Sequence, residues 1–287
     1  MRNRVVVLTA AMGLALSLSI SVKAQNAETG QAPQHGVAQR GASIYGQLGK
    51  DSGGPAPKHD LTGVWAGGGG GRAAAPPWEQ LMTPWGKARF ALNKPEGTNS
   101  QYSVAEANDP TRTCDPVGFP RNILWNNRAM TLAQMPDRVV ELFQYQKVWR
   151  EIFTDGRELP KDIGAGNGQD RRYYGYSVGH WDGDFTLMVD TVGTDERTWL
   201  DNSGHPHSND LRVQEQYTRT DRNDMELTVT LNDPVAYTKP FVAMKSNFRW
   251  LPKQQFEEQL CIPSEGLAYL SIIGDPAGNA DGSSATH

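Results

Sequence analysis

The sequence predicts an all-β domain, an antiparallel β-barrel or meander with a short helix ahead of it. Three observations predict it. From Arg138 onward, run after run of residues alternates apolar and polar side chains at a period of two. Short polar connections join the runs, as they do where strands pair with their sequence neighbours. With the segment around Trp65 added, the runs are numerous enough to close on themselves, which removes the exposed edges of an open sheet.

The chain of 287 residues opens with Arg2 and Arg4, an apolar stretch over residues 5–20, and then Val22, Lys23 and Ala24. A basic start, a short apolar run and small residues where a signal peptidase reads predict a signal peptide over residues 1–24, cleaved after Ala24. Gly13, Ser17 and Ser19 dilute the stretch, which is short for a bilayer anchor. A periplasmic or secreted protein is expected. Removing Arg2, Arg4 and Lys23 takes the basic count from 28 to 25 against 32 acidic residues, so the net charge goes from −4 to −7. A pI near 5.9 without a basic block argues against a nucleic-acid partner. A mean hydropathy of −0.57 with no later apolar run argues against a membrane-embedded chain.

Residues 25–57 are rich in Gly, Ala, Gln and Pro and read as a flexible leader. A single barrel domain is expected over residues 58–273, followed by a small, polar, disordered tail over 274–287. Structure begins at Asp60-Leu61-Thr62-Gly63-Val64-Trp65 and is interrupted by five glycines at 67–71. No Gly-Lys-Ser/Thr follows those glycines, so they are not a phosphate-binding loop. Residues 81–92 form the helix candidate, with Thr83 as cap, Pro84 at the first helical position and Asn93-Lys94-Pro95 as the stop. Strand runs then follow at 139–146 and 148–154, ending at the Asp155-Gly156 turn. Residues 173–181 and 185–192 flank the turn at Asp182-Gly183 as a hairpin. A second hairpin joins 211–219 to 226–231, and runs at 241–251 and 255–261 complete the set. The two cysteines, Cys114 and Cys261, are most simply one disulfide in an oxidising compartment.

Gly63-Val64-Trp65 resembles the Gly-x-Trp signature of lipocalin and other calycin barrels, which implies a lipocalin-like barrel with the Trp at its closed end. Further runs carry a resemblance over roughly residues 61–261. They are Cys114-Asp115-Pro116-x-Gly118-x-Pro120-Arg121, Asp155-Gly156-Arg157, Ser177-x-Gly179-x-Trp181-x-Gly183-Asp184 and Trp199-Leu200-Asp201-x-x-Gly204-His205-Pro206-His207-Ser208. They resemble a widespread family of exported bacterial proteins, which implies the compartment and no reaction. In that family the place of Gln144 is often taken by Glu and that of Lys147 by His, so the resemblance implies an altered acid–base set here.

The densest chemistry lies between Trp199 and Asp210, where Asp201, His205, His207 and Asp210 fall within ten residues. On extended backbone, His205 and His207 point the same way. Three readings stand: a structural loop, a His/Asp acid–base pair, or a metal site completed by His180 or Asp182. Carboxylates also share strand faces with apolar residues. Glu141 alternates with Val139 and Phe143, and Glu215 with Val213 and Tyr217, while Arg150 lies between Val148 and Ile152. Facing inward, such carboxylates are desolvated and suited to proton transfer near neutral pH; facing outward, they are ordinary surface charges. Aromatic residues Tyr173, Tyr176, Trp181, Trp199 and Tyr217 gather near these charges and suit a flat apolar ligand.

No Gly-x-Ser-x-Gly elbow, His-Glu-x-x-His helix or dinucleotide fingerprint is present. The expected function is therefore an exported lyase, isomerase or hydrolase without organic cofactor, acting on a hydrophobic or aromatic small molecule. His205 or His207 is its expected base, Asp201 or Asp210 orients that base, Glu215 is the acid and Arg150 stabilises negative charge. Tyr173, Tyr176, Trp181, Trp199, Tyr217 and Glu141 are the expected substrate contacts. The alternative is a non-catalytic carrier or sensor of the same ligand class.

Overall fold

The computed structural model describes residues 53–67, 77–96, 101–124, 129–253, 255 and 258–273. The expected signal peptide, the leader up to residue 52 and the tail at 274–287 lie outside the described residues. Nine strands form one closed barrel. They are β1 (Gly63–Gly67), β2 (Met130–Gln134), β3 (Arg138–Phe143), β4 (Trp149–Phe153), β5 (Tyr176–Asp182), β6 (Thr186–Val192), β7 (Arg212–Arg219), β8 (Asp224–Asn232) and β9 (Phe241–Trp250). Each strand bonds its sequence neighbour, and β1 also pairs with β9 to close the ring.

Parity forces one irregularity on this ring. An odd number of strands cannot alternate up and down all the way round, so a parallel pair is needed, and it is β4 with β5. The other eight pairings are antiparallel, as the meander expectation had it. A parallel step needs a long crossover, which residues 154–175 supply. That pairing is also the shortest in the barrel. Ile152–Ser177 and Phe153–Val178 are its two residue pairs, so the sheet parts beside Trp149, Arg150 and Glu151.

Period-two alternation decides what fills the interior. On β7, Val213, Glu215, Tyr217 and Arg219 are buried while Arg212, Gln214 and Gln216 are exposed. Leu187 and Val189 of β6 and Met225, Leu227, Val229 and Leu231 of β8 complete the facing walls. Burying each leucine fully is worth about 1.5–3 kcal/mol. Trp65 of β1 is fully buried; its indole N–H donates to the Leu61 carbonyl at 2.8 Å, and the Arg219 guanidinium lies 5.0 Å from its ring.

The helix expected over 81–92, with Thr83 as its cap, is α2 (Pro84–Leu92), and a separate short helix, α1 (Trp78–Leu81), precedes it. Met82 interrupts them because its backbone bridges to Tyr237. Thr83 caps α2 as expected: its hydroxyl accepts from the Gly86 N–H at 3.1 Å and donates to the Val235 carbonyl at 2.5 Å. Gly86 lets α2 sit against the 233–237 turn, since a Cβ there would lie 2.4 Å from the Ala236 carbonyl oxygen. Thr83→Ala removes both bonds and is expected to lower stability by about 1–2 kcal/mol in urea titrations.

Two elements differ from expectation at the C-terminal end. The described residues of the run at 255–261 form no strand; among them Gln259 makes an isolated bridge to Tyr145. Because β1 occupies the free side of β9, the barrel has no edge for another strand to join. After α3 (Arg121–Leu124) in the middle of the chain, a fourth helix, α4 (Pro263–Ile273), follows that run. Cys114 and Cys261 are disulfide-bonded with Cα atoms 5.4 Å apart, tying the approach to α4 to the 3-10 turn Pro110–Thr113. Among the described residues no helix is long and apolar enough to cross a membrane.

Candidate functional site

Glu141 on β3, Arg150 on β4 and Glu215 on β7 all turn inward, which settles the face that alternation had left open. Register brings them together: Glu141 lies opposite Arg150 across the β3–β4 ladder. Nε of Arg150 donates to Glu141 at 2.6 Å, and its two terminal nitrogens grip Glu215 at 2.8 and 2.5 Å. The remaining terminal N–H groups reach the Tyr217 hydroxyl at 3.1 Å and the Ser177 and Thr191 hydroxyls at 3.3 Å. All five guanidinium donors are therefore engaged, and the group lies 3.9 Å from the Phe119 ring.

Counting protons shows which carboxyl holds its proton longer. The Tyr217 oxygen lies 2.7 Å from Glu215 and 3.1 Å from Glu141, yet a phenol has one hydrogen to donate. The shorter contact takes it. The contact to Glu141 is then a hydrogen bond if Glu141 is the protonated donor and two opposed acceptors if it is not. Charge leads to the same assignment, since two buried carboxylates surround one guanidinium. Burial, reinforced by the charge of Glu215 and only partly offset by Arg150, pushes the Glu141 pKa up to about 7. Burial opposes the charge on Arg150, but Glu141 and Glu215 outweigh it and hold its pKa well above the ordinary value.

Where the sheet parts between β4 and β5, a cleft of about 820 Å³ opens. Arg150 and Ser177 lie at its buried base, linking it to the interior network. Trp149, Phe153, Tyr173, Tyr174 and Tyr176 supply its aromatic wall, and Arg157, Arg171 and Arg172 its cationic one. Trp149 is 63% exposed although it is a large apolar side chain. The Tyr174 hydroxyl is buried without a hydrogen bond of ordinary geometry, the Gly118 backbone being the polar group it approaches, and burial raises its pKa.

The 199–210 segment forms a second, separate arrangement. His205 donates from Nδ1 to Asp201 at 2.7 Å and from Nε2 to Glu79 of α1 at 3.2 Å. Its ring stacks on Phe90 of α2 and meets Trp78 edge-on. Burial works against its charge, but Asp201 and Glu79 prevail and raise its pKa; the charged ring, with a hydrogen on each nitrogen, answers both carboxylates. His207 is fully buried, and that burial lowers its pKa. Its ring nitrogens lie 3.0 Å from the Ser208 carbonyl and 2.8 Å from the Thr198 hydroxyl. Asp233 binds the Ser208 amide and hydroxyl, and Tyr237 donates to the Pro206 carbonyl.

The expected site residues thus separate. Arg150, Glu141, Glu215 and Tyr217 form the interior network, and Tyr173 and Tyr176 line the cleft. His205 and Asp201 pin the loop to α1 and α2, while His207 holds the loop to Thr198. Their rings do not converge on one ligand, because each ring nitrogen already faces a partner within its own part of the loop or on α1. Asp210 is exposed on the following turn, where its amide donates to Ser208. The Trp181 ring lies tilted 4.9 Å from that of His59, and Trp199 is buried 5.5 Å from the Arg121 guanidinium. No hydrogen bond or ion pair among the described residues joins the histidine group to the Arg150 network. Among those residues, no group of three or more His, Cys, Asp or Glu is placed to hold a metal.

Two features escaped the sequence reading. The motifs at 114–121 and 199–208 meet through Arg121, which grips Asp109 at 2.9 and 2.5 Å and Asn202 at 2.8 Å. Trp149 and the Arg171-Arg172 pair line the cleft; the visible signal was two consecutive arginines before Tyr173-Tyr174, with no way to see what they face. Comparisons with protein-family models, curated proteins and solved structures return no match.

Proposed function

We propose that this chain is an exported carrier or sensor that holds a flat aromatic small molecule in the cleft between β4 and β5. The observation that carries this reading is the cleft itself, about 820 Å³ walled by five aromatic side chains and set into a rigid barrel. That volume lies within the range of small-molecule sites, and aromatic walls recognise flat apolar ligands by burial and stacking. The exposed Trp149 fits a surface that a ligand covers. Binding is favoured over turnover because Arg150 has no free donor for a substrate, and because His205 and His207 are engaged away from the cleft.

Native mass spectrometry of the mature protein from its own source tests the reading. The expected result is an excess mass, released on denaturation, that persists in His205→Ala and is lost in the Trp149→Ala, Tyr176→Ala double variant. A bare polypeptide mass, or an excess mass indifferent to the double variant, sinks it.

A second reading is proton-transfer catalysis by a lyase, isomerase or hydrolase on the same ligand. One observation favours it: the acid at Glu141, ionising near neutrality, is one hydrogen bond behind Arg150, which borders the cleft. Incubating the released compound with the protein separates the readings. Unchanged compound supports the carrier, whereas conversion that follows a titration near pH 7 and disappears in Glu141→Gln supports the enzyme.

A further inference from the structure

The charges that line the cleft do not balance, and the imbalance identifies the chemical class of its ligand. Arg150 is held between Glu141 and Glu215, and Arg157 pairs with Asp155. Glu151 pairs with Arg138, and Glu158 with Lys161. Arg171 and Arg172 remain, and neither has a carboxylate partner among the described residues. In a chain whose net charge is −4, two uncompensated guanidiniums in one concave site stand out.

Both guanidiniums are also held in place. Arg171 donates from Nη1 to the Asn209 carbonyl at 2.7 Å and passes close over Gly164, where a Cβ would lie 3.0 Å from its Nε. Arg172 lies 4.1 Å from the Tyr176 ring, and Tyr176 is itself anchored by its hydroxyl to the Asp170 carbonyl at 2.7 Å. Side chains already ordered lose little further entropy on binding, and guanidinium forks match carboxylates in shape and charge.

We propose that the cleft takes an aromatic carboxylate, its acid group seated on Arg171 and Arg172 and its ring against Trp149 and the neighbouring tyrosines. This rests on the cleft being the binding site proposed above. A neutral aromatic compound leaves the two guanidiniums uncompensated, and an acidic sugar leaves the aromatic wall poorly covered.

Calorimetric titration of the mature protein with naphthoate, naphthylmethanol and galacturonate tests the proposal. Naphthoate is expected to bind about tenfold or more tighter than naphthylmethanol, with an advantage that shrinks as salt is added. Arg172→Gln is expected to remove most of that advantage. Equal affinities for the acid and the alcohol, or an advantage that survives Arg172→Gln, overturn the carboxylate assignment and leave the cleft as an aromatic site. Galacturonate binding as tightly as naphthoate overturns the aromatic half. Failure of all three to bind overturns the cleft reading itself.

Discussion

Arg150→Met is expected to lower the stability of the barrel by about 3–5 kcal/mol at pH 8, the largest single-residue effect anticipated here. Methionine fills much of the same space, so the loss is electrostatic in origin. Two carboxyl groups, Glu141 and Glu215, remain fully buried with no cation to face, and Tyr217 has one proton to offer them. Their readiest response is to bind protons, so the deficit is expected to shrink as the pH falls toward 5. Adding Glu141→Gln and Glu215→Gln to Arg150→Met removes the stranded charges and is expected to recover most of the loss. Urea titrations at pH 5 and pH 8 check all three statements. A deficit below about 1 kcal/mol at pH 8 contradicts the interior placement of these groups.

The second large effect is a pH dependence that belongs to Glu141. A carboxyl that ionises near 7 in the folded barrel and at its ordinary 4.5 in the unfolded chain keeps its proton longer when folded. Stability from this group is therefore greatest below about pH 4.5, declines as pH rises to about 7, and is level above that. The full swing is on the order of 3 kcal/mol. His205, whose pKa is also raised, adds a decline of the same sign as pH passes through its folded value. Asp109 and Asp155 act the other way, because their lowered pKa values lose stability only in more acid solution. The raw slope thus mixes several groups, and the difference between wild type and Glu141→Gln isolates one. That variant keeps an acceptor for Arg150 Nε and a donor for the Tyr217 oxygen while removing the surplus charge. It is expected to match wild type near pH 5 and to exceed it above pH 7. A variant less stable than wild type at pH 8 means that burial does not raise the Glu141 pKa and overturns the assignment.

Much of this arrangement was legible in advance. Alternation placed Glu141 with Val139 and Phe143, and Glu215 with Val213 and Tyr217, on the faces where the structure has them. Thr83 and Pro84 marked the start of α2 correctly, because a cap is a local interaction between residues three apart. The strand β2, Met-Thr-Leu-Ala-Gln, was missed because Ala133, an apolar residue off the buried face, breaks its alternation after three residues. The acid–base site expected around His205, His207, Glu215 and Arg150 was composed from residues near in sequence or similar in chemistry. In the fold they belong to a loop clamp and to an interior network.

By itself the sequence determined a strand-rich domain, its hairpins, one helix cap, the pairing of its two cysteines and the residues that alternation groups on each face. These follow from backbone periodicity, turn chemistry and parity, which act over a few residues or on a simple count. Tertiary structure alone decided which face is inside, that β4 and β5 run parallel, and that the sheet parts there to expose Trp149, Arg171 and Arg172. It also decided that Arg150 is shared by two carboxylates from distant strands. The physical reason is closure. A ring of nine strands has to absorb one parallel step, and where that step falls fixes the cleft and the register that aligns charges from β3, β4 and β7, none of which is encoded in any single stretch of chain.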